Sequence, residues 1–162
     1  MAEVLPDIRD LVGGGASSVT GRPEVVVRLA RQWIGTPYCH QQSCRGAGTD
    51  CLGLIRGIWR ELYGSEPTVL PAYTPDWSEA TGREELLAAA RRWLVPAECR
   101  GPEPGDVILF RMEDRSVAKH LGILSEVGAQ GRFIHAYSGH GVVESALSTP
   151  WARRIVARFS FP

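Results

Sequence analysis

The sequence predicts an α+β domain in which N-terminal helices pack on a small antiparallel β-sheet. Three segments with helical apolar spacing fill the first part of the chain, and five short β-branched or aromatic segments follow residue 105. Helices precede strands without βαβ alternation, which argues against a parallel sheet.

Residues 1–22 carry a Gly-Gly-Gly run and a Ser/Thr/Gly patch, and read as a flexible arm ahead of one domain over 23–162. Pro23 suits the first turn of a helix, since its missing N–H is one the helix leaves unpaired anyway. Val25, Val26, Leu29, Ala30, Trp33 and Ile34 give that helix its apolar face, and Gly35 and Pro37 end it. "YCHQQSCRGAGTD" (38–50) is a polar loop. A second helix runs from Cys51 to Tyr63, with Leu54, Ile55, Ile58, Trp59 and Leu62 on one stripe and Gly64 as its stop. A proline-punctuated loop leads to "TGREELLAAARRWL". There Thr81 and Glu84 have the spacing of a capping box, and Leu86, Leu87, Ala90, Trp93 and Leu94 form the buried face. The strands are expected at 106–110, 120–127, 132–138, 141–147 and 154–161.

Composition excludes several classes. With 18 Lys+Arg against 18 Asp+Glu and no basic run, phosphate neutralisation on a nucleic acid has no footprint. No apolar run approaches the ~20 residues a membrane span needs, and the N-terminus lacks the basic-then-apolar order of a signal peptide. Synthesis in a cytoplasm is therefore expected, and free thiols rather than disulfides for Cys39, Cys44, Cys51 and Cys99.

Cys51 stands at a helix start, where unpaired N–H groups and the helix dipole favour a thiolate and could hold an oxyanion. The alternative is a small apolar residue packed under the helix. A nucleophile needs a base. His120 in "KHLGIL" and His135 in "FIHAYS" lie on consecutive expected strands, so one ring can orient the other, although either alone suits a hydrogen-bonded structural role. His140 reads as a solvated turn residue, and His40 as a candidate for the same cleft. Trp33, Trp59 and Trp93 read as core. Trp77 and Trp151, beside prolines, and Tyr73 read as contacts to a substrate or partner. Cys39, His40, Cys44 and Cys51 could also be soft metal ligands, but their spacing fits no common zinc or iron–sulfur pattern, and no cofactor is expected.

"WIGTPY", "DCLGL", "PGDVILF", "KHLGIL" and "FIHAYSG", in that order over residues 23–160, resemble the NlpC family of cell-wall cysteine peptidases. The resemblance implies a papain-like fold with Cys51 as nucleophile, His120 as general base and His135 as the residue orienting it. It implies that Tyr38 lines the cleft, that Asp50 helps hold the free amine of a substrate, and that Gly53 is the small residue of the motif. The family tends to carry serine where this chain has Leu52, which weakens the expectation of free-amine specificity. The implied substrate is the peptidoglycan stem peptide, cut between D-glutamate and meso-diaminopimelate.

"GTPYCHQQSCRGAGTDCLGLIRGIWRELYG", "PAYTPDW" and the terminal "ARFSFP" resemble the branch encoded with tail genes of phages and gene transfer agents. That likeness implies delivery on a tail tip or baseplate, with baseplate proteins as partners and the target cell's periplasm as the place of action. Two other readings remain: a structural tail component with a weak or silent site, and a Cys/His metal module.

Overall fold

The computed structural model describes residues 23–76 and 78–162; the expected arm and Trp77 lie outside them. The chain opens with α1 (Pro23–Gln32), followed by a small hairpin of β1 (Ser43–Cys44) and β2 (Gly48–Thr49) and by α2 (Cys51–Tyr63). Then come α3 (Glu85–Trp93), β3 (Val95–Pro96), β4 (Val107–Arg111), β5 (Ala118–Glu126), β6 (Arg132–Tyr137) and β7 (Gly141–Ala146). A short α4 (Thr149–Ala152) and β8 (Ile155–Ser160) complete it. The six-stranded sheet has the order β3-β8-β4-β5-β6-β7, and every neighbouring pair is antiparallel. The expected α+β architecture is the observed one.

Alternation along the strands divides the sheet into two working faces. Val107, Leu109, Leu121, Ile123, Ile134 and Ala136 join the helices' Val26, Trp33, Leu54, Ile58 and Leu86 in the main core. Ile108, Phe110, Leu124 and Phe133 form a second cluster on the opposite face, covered by Met112, Leu147, Trp151 and Ile155. Trp151 is therefore packed structure, not the free loop aromatic its Pro150 neighbour suggested. Trp33 and Trp59 are buried as expected, and Trp93 packs half-buried at the core's edge.

The third helix differs from expectation at its start. Glu84 sits at the N-cap but makes no side-chain capping bond. Its carboxylate instead receives the Arg111 guanidinium and the Ala118 N–H (2.9 Å). A tertiary ion pair with the end of β4 and a hydrogen bond from the start of β5 outcompete the local capping box.

Helices α1 and α2 meet where Gly57 lies beneath Trp33, whose indole Nε1 donates to Glu61 at 3.0 Å. A Cβ at Gly57 would fall 2.0 Å from Trp33 Cζ2. Gly57→Ala is expected to destabilise the domain by about 1–3 kcal/mol through overpacking, although alanine is the better helix former. Urea unfolding of the variant measures this, and an unchanged midpoint would contradict the packing.

Candidate active site

Asp50 builds the start of α2. Its Oδ1 accepts the Gly53 N–H at 2.7 Å, and its backbone carbonyl accepts that of Leu54. Its Oδ2 accepts the Gln41 N–H (2.8 Å) and the Tyr73 hydroxyl (2.6 Å), with His40 Nδ1 3.6 Å away. One carboxylate thus joins the helix, the 38–50 loop and the long loop between α2 and α3. Gly53 permits the close approach: a Cβ there would lie 1.9 Å from the Gln42 carbonyl oxygen. The structure places Gly53 under the loop, outside the cleft lining, while Ser43 Oγ donates to its carbonyl at 2.5 Å.

The cleft is small, ≈ 50 Å³, and Tyr38, His40, Asp50, Cys51, Leu52, Tyr73 and Lys119 are among the residues lining it. Leu52 also walls a neighbouring apolar cavity of ≈ 120 Å³ with Ile55, Trp59, Leu86, Trp93 and Leu121. Cys51 lies against the β5 backbone on either side of His120. Its Sγ is 3.8 Å from the Lys119 carbonyl oxygen, and the Leu121 N–H hydrogen-bonds the sulfur's charged form, as do those of Cys51 and Leu52. With Gly53 and Leu54 N–H used by Asp50, the Cys51 and Leu52 N–H groups are the two of the first turn turned to the thiol.

The electrostatics differ from the expected thiolate. Burial, reinforced by the Asp50 charge, pushes the Cys51 thiol up to about 12 against the pull of those N–H groups. The capping carboxylate offsets the positive helix end that would otherwise favour the anion. Burial likewise raises Tyr38, then the Cys51 charge beside it, and raises Tyr73, with the hydroxyl's bond to Asp50 adding to it.

The two histidines come together across adjacent strands. His120 on β5 and His135 on β6 are both buried, with Nε2 of the first 2.8 Å from Nδ1 of the second. His135 Nε2 in turn lies 3.0 Å from Ser145 Oγ on β7, a contact that no sequence signal marked. Phe110, Phe133 and Trp151 pack around the pair on the second face of the sheet. Burial lowers the basicity of both imidazoles, and each also feels a second histidine, His135 beside His120 and His140 beside His135. The Cys51 thiol points to the Lys119 carbonyl and makes no hydrogen bond to the His120 ring. In the tautomer where His120 Nε2–H donates to His135 Nδ1, His120 Nδ1 is the basic position.

His40 lines the cleft, bonding the Tyr73 carbonyl at 2.8 Å, whereas His140 is an exposed turn residue stacked on Tyr137. All four cysteines are free thiols. Among the described residues no group of three or more His, Cys, Asp or Glu is placed to hold a metal ion, and no helix is long and apolar enough to cross a membrane.

A cysteine at a helix start, packed against antiparallel strands that carry a hydrogen-bonded histidine pair, has the layout of a papain-like fold. The chain belongs to the NlpC/P60 family, whose model matches residues 35–159. It is 30% identical over 125 residues to the γ-DL-glutamyl hydrolase of Bacillus subtilis, covering 76% of this chain and 25% of that protein. It is 29% identical over 133 residues to the murein DD-endopeptidase MepS/murein LD-carboxypeptidase of Escherichia coli K12, covering 78% and 59%. The chain thus spans a quarter of the length of the first relative and 59% of the second. Among solved structures it resembles a NlpC/P60 family protein from Bacillus cereus (TM-score 0.59, 18% identity, 87% of this chain and 40% of that one). It also resembles the NlpC/P60 domain of the peptidoglycan hydrolase SagA (TM-score 0.55, 18% identity, 86% and 99%).

Two expectations follow. Below the ordinary imidazole value of 6.5 the unfolded chain binds protons that the buried pair refuses, so stability is full above that pH and falls as pH drops beneath it. Urea midpoints across pH 4–8 read this slope, which His120→Gln should make shallower. Second, Ser145→Ala removes the acceptor facing His135 Nε2. It should slow alkylation of Cys51 by iodoacetamide about three- to tenfold, the scale of one hydrogen bond, while Ser145→Thr retains the rate. Mass spectrometry separates Cys51 from the other thiols.

Proposed function

We propose that this domain is a cysteine endopeptidase acting on peptidoglycan stem peptides, cutting between D-glutamate and meso-diaminopimelate. The observation that carries the reading is the 2.8 Å His120–His135 pair beside a helix-start cysteine, in a chain of the NlpC/P60 family. Relatives named as a γ-DL-glutamyl hydrolase and a murein endopeptidase favour the stem peptide as the substrate class.

In this reading the resting pair is neutral, thiol and imidazole. As substrate enters, the S–H turns from the Lys119 carbonyl and gives its proton to His120 Nδ1, while sulfur attacks the scissile carbonyl carbon. The Cys51 and Leu52 N–H groups stabilise the oxyanion. His120 returns the proton to the departing amine, leaving a thioester on Cys51. A water deprotonated by His120 attacks the thioester, releasing the carboxylic acid and restoring the thiol. His135, held by Ser145, keeps the His120 ring in the tautomer with a basic Nδ1.

The domain is further proposed to ride on the tail tip or baseplate of a phage or phage-like particle, made in a cytoplasm and acting in the target's periplasm. The tail-encoded motif likeness noted from the sequence supports this placement.

Cys51→Ala is expected to abolish release of soluble fragments from purified sacculi while leaving the circular dichroism spectrum and unfolding midpoint near those of the parent. Mass spectrometry of the released fragments identifies the bond, and turnover by the alanine variant would sink the assignment.

A further inference from the structure

The cleft over the Cys51 sulfur is too small for a substrate. Its ≈ 50 Å³ holds a few water molecules, whereas a peptide bond with the residues on either side needs several times that volume. One wall must therefore move. Cys51 and Leu52 belong to α2, Leu86 to α3 and Lys119 to β5. The 38–50 segment that carries Tyr38, His40 and Asp50 is knit by its backbone. Cys39 N–H donates to the Thr49 carbonyl, Thr49 N–H to that of Pro37, and Asp50 N–H to that of Gln42. The remaining wall, Tyr73, Thr74 and Pro75, comes from the long α2–α3 loop.

That loop is held differently. Among the described residues, none of residues 65–72 makes a backbone–backbone hydrogen bond. Between 67 and 75 only Leu70 and Tyr73 are even half-buried, and Val69 is 94% exposed. Leu70 lines the apolar cavity on the far side of Leu52. The Tyr73 hydroxyl donates to Asp50 at 2.6 Å, and its carbonyl meets His40 Nε2 at 2.8 Å. The ends are fixed by charge: Glu66 accepts from Arg56 (2.7 Å) and Arg60 of α2, and Glu79 pairs with Lys119. A hollow of ≈ 370 Å³ runs along residues 70–74, so the segment is not packed in place along its length. A stretch with anchored ends, two inward side chains and no backbone ladder opens at small cost in free energy.

We infer that residues 67–75 are a lid on the Cys51 cleft, held shut by Tyr73 and Leu70, and that bulky molecules reach the sulfur only when it lifts. The inference goes beyond the peptidase reading and holds whatever bond the site cuts.

The test compares alkylation of Cys51 by iodoacetamide and by its fluorescein-linked form, followed by mass spectrometry on the full chain. Both reagents share one chemistry and read the same thiolate, so the ratio of their rates reports access alone. Against the urea-unfolded chain as reference, the folded chain should disfavour the bulky reagent about tenfold or more. Tyr73→Phe and Leu70→Ala, each checked by its unfolding midpoint, should each recover about five- to tenfold of that ratio, the scale of one hydrogen bond or a few buried methyl groups. Leu70→Ala leaves the Asp50 carboxylate untouched and carries the test where Tyr73→Phe folds poorly. A folded chain that shows no size discrimination overturns the inference, and this arm needs no variant. Variants that speed both reagents equally, or neither, overturn it as well. Digestion of sacculi by the same chain reads the peptidase proposal separately.

Discussion

The buried Asp50 carboxylate is the interaction on which the site depends. A helix end leaves its first N–H groups without partners, and a short acceptor at the N-cap is the local remedy. Here the remedy also organises tertiary structure, because the same carboxylate accepts from Gln41 in one loop and Tyr73 in another. Removing it would leave the Gly53 and Gln41 N–H groups unpaired in a closed environment and release the loop bearing Tyr73. The position of the Cys51 sulfur is a consequence of how that helix end is tied down.

The arrangement has an electrostatic cost that shapes the chemistry. A helix start near a thiol ordinarily stabilises the anion, but burial opposes it, and a capping carboxylate one residue away opposes it further. The imidazoles are pushed the other way, so neither partner carries charge in the closed cleft. Burial thus disfavours charge separation between thiol and imidazole.

Much of this was legible in the chain, and the boundary between what was and was not is physical. Helix α2 could be read from Cys51 to Tyr63, because its apolar stripe and its Gly64 stop are both local, whereas the Asp50 cap is a finding of the structure. The histidine pair could be read because strand alternation and hairpin connectivity restrict which rings can meet. Ser145 could not, since a serine on a half-exposed strand has no distinguishing pattern, and its role exists only through the β6–β7 register. Glu84 was legible as a cap and is an ion-pair partner instead, a case of long-range charge overriding a local motif. Trp151 looked like a free aromatic because the sequence gives no sign of the second face of the sheet.

That second face explains why the histidines are buried. The helical face of the sheet is filled by apolar side chains that pack on α1, α2 and α3. The opposite face carries Phe110 and Phe133, and the α4 segment lays Trp151 across them and across both rings. Aromatic walls exclude water from the 2.8 Å His120–His135 bond, which strengthens it and fixes ring orientation, while the same exclusion makes either ring reluctant to protonate. Cys51 approaches from the helical side, at the backbone on either side of His120. The sheet thus separates the two groups: one face anchors the helix that positions the sulfur, and the other encloses the imidazole pair. The strand bearing His120, bulged opposite Phe110 and Arg111, is the element that joins them.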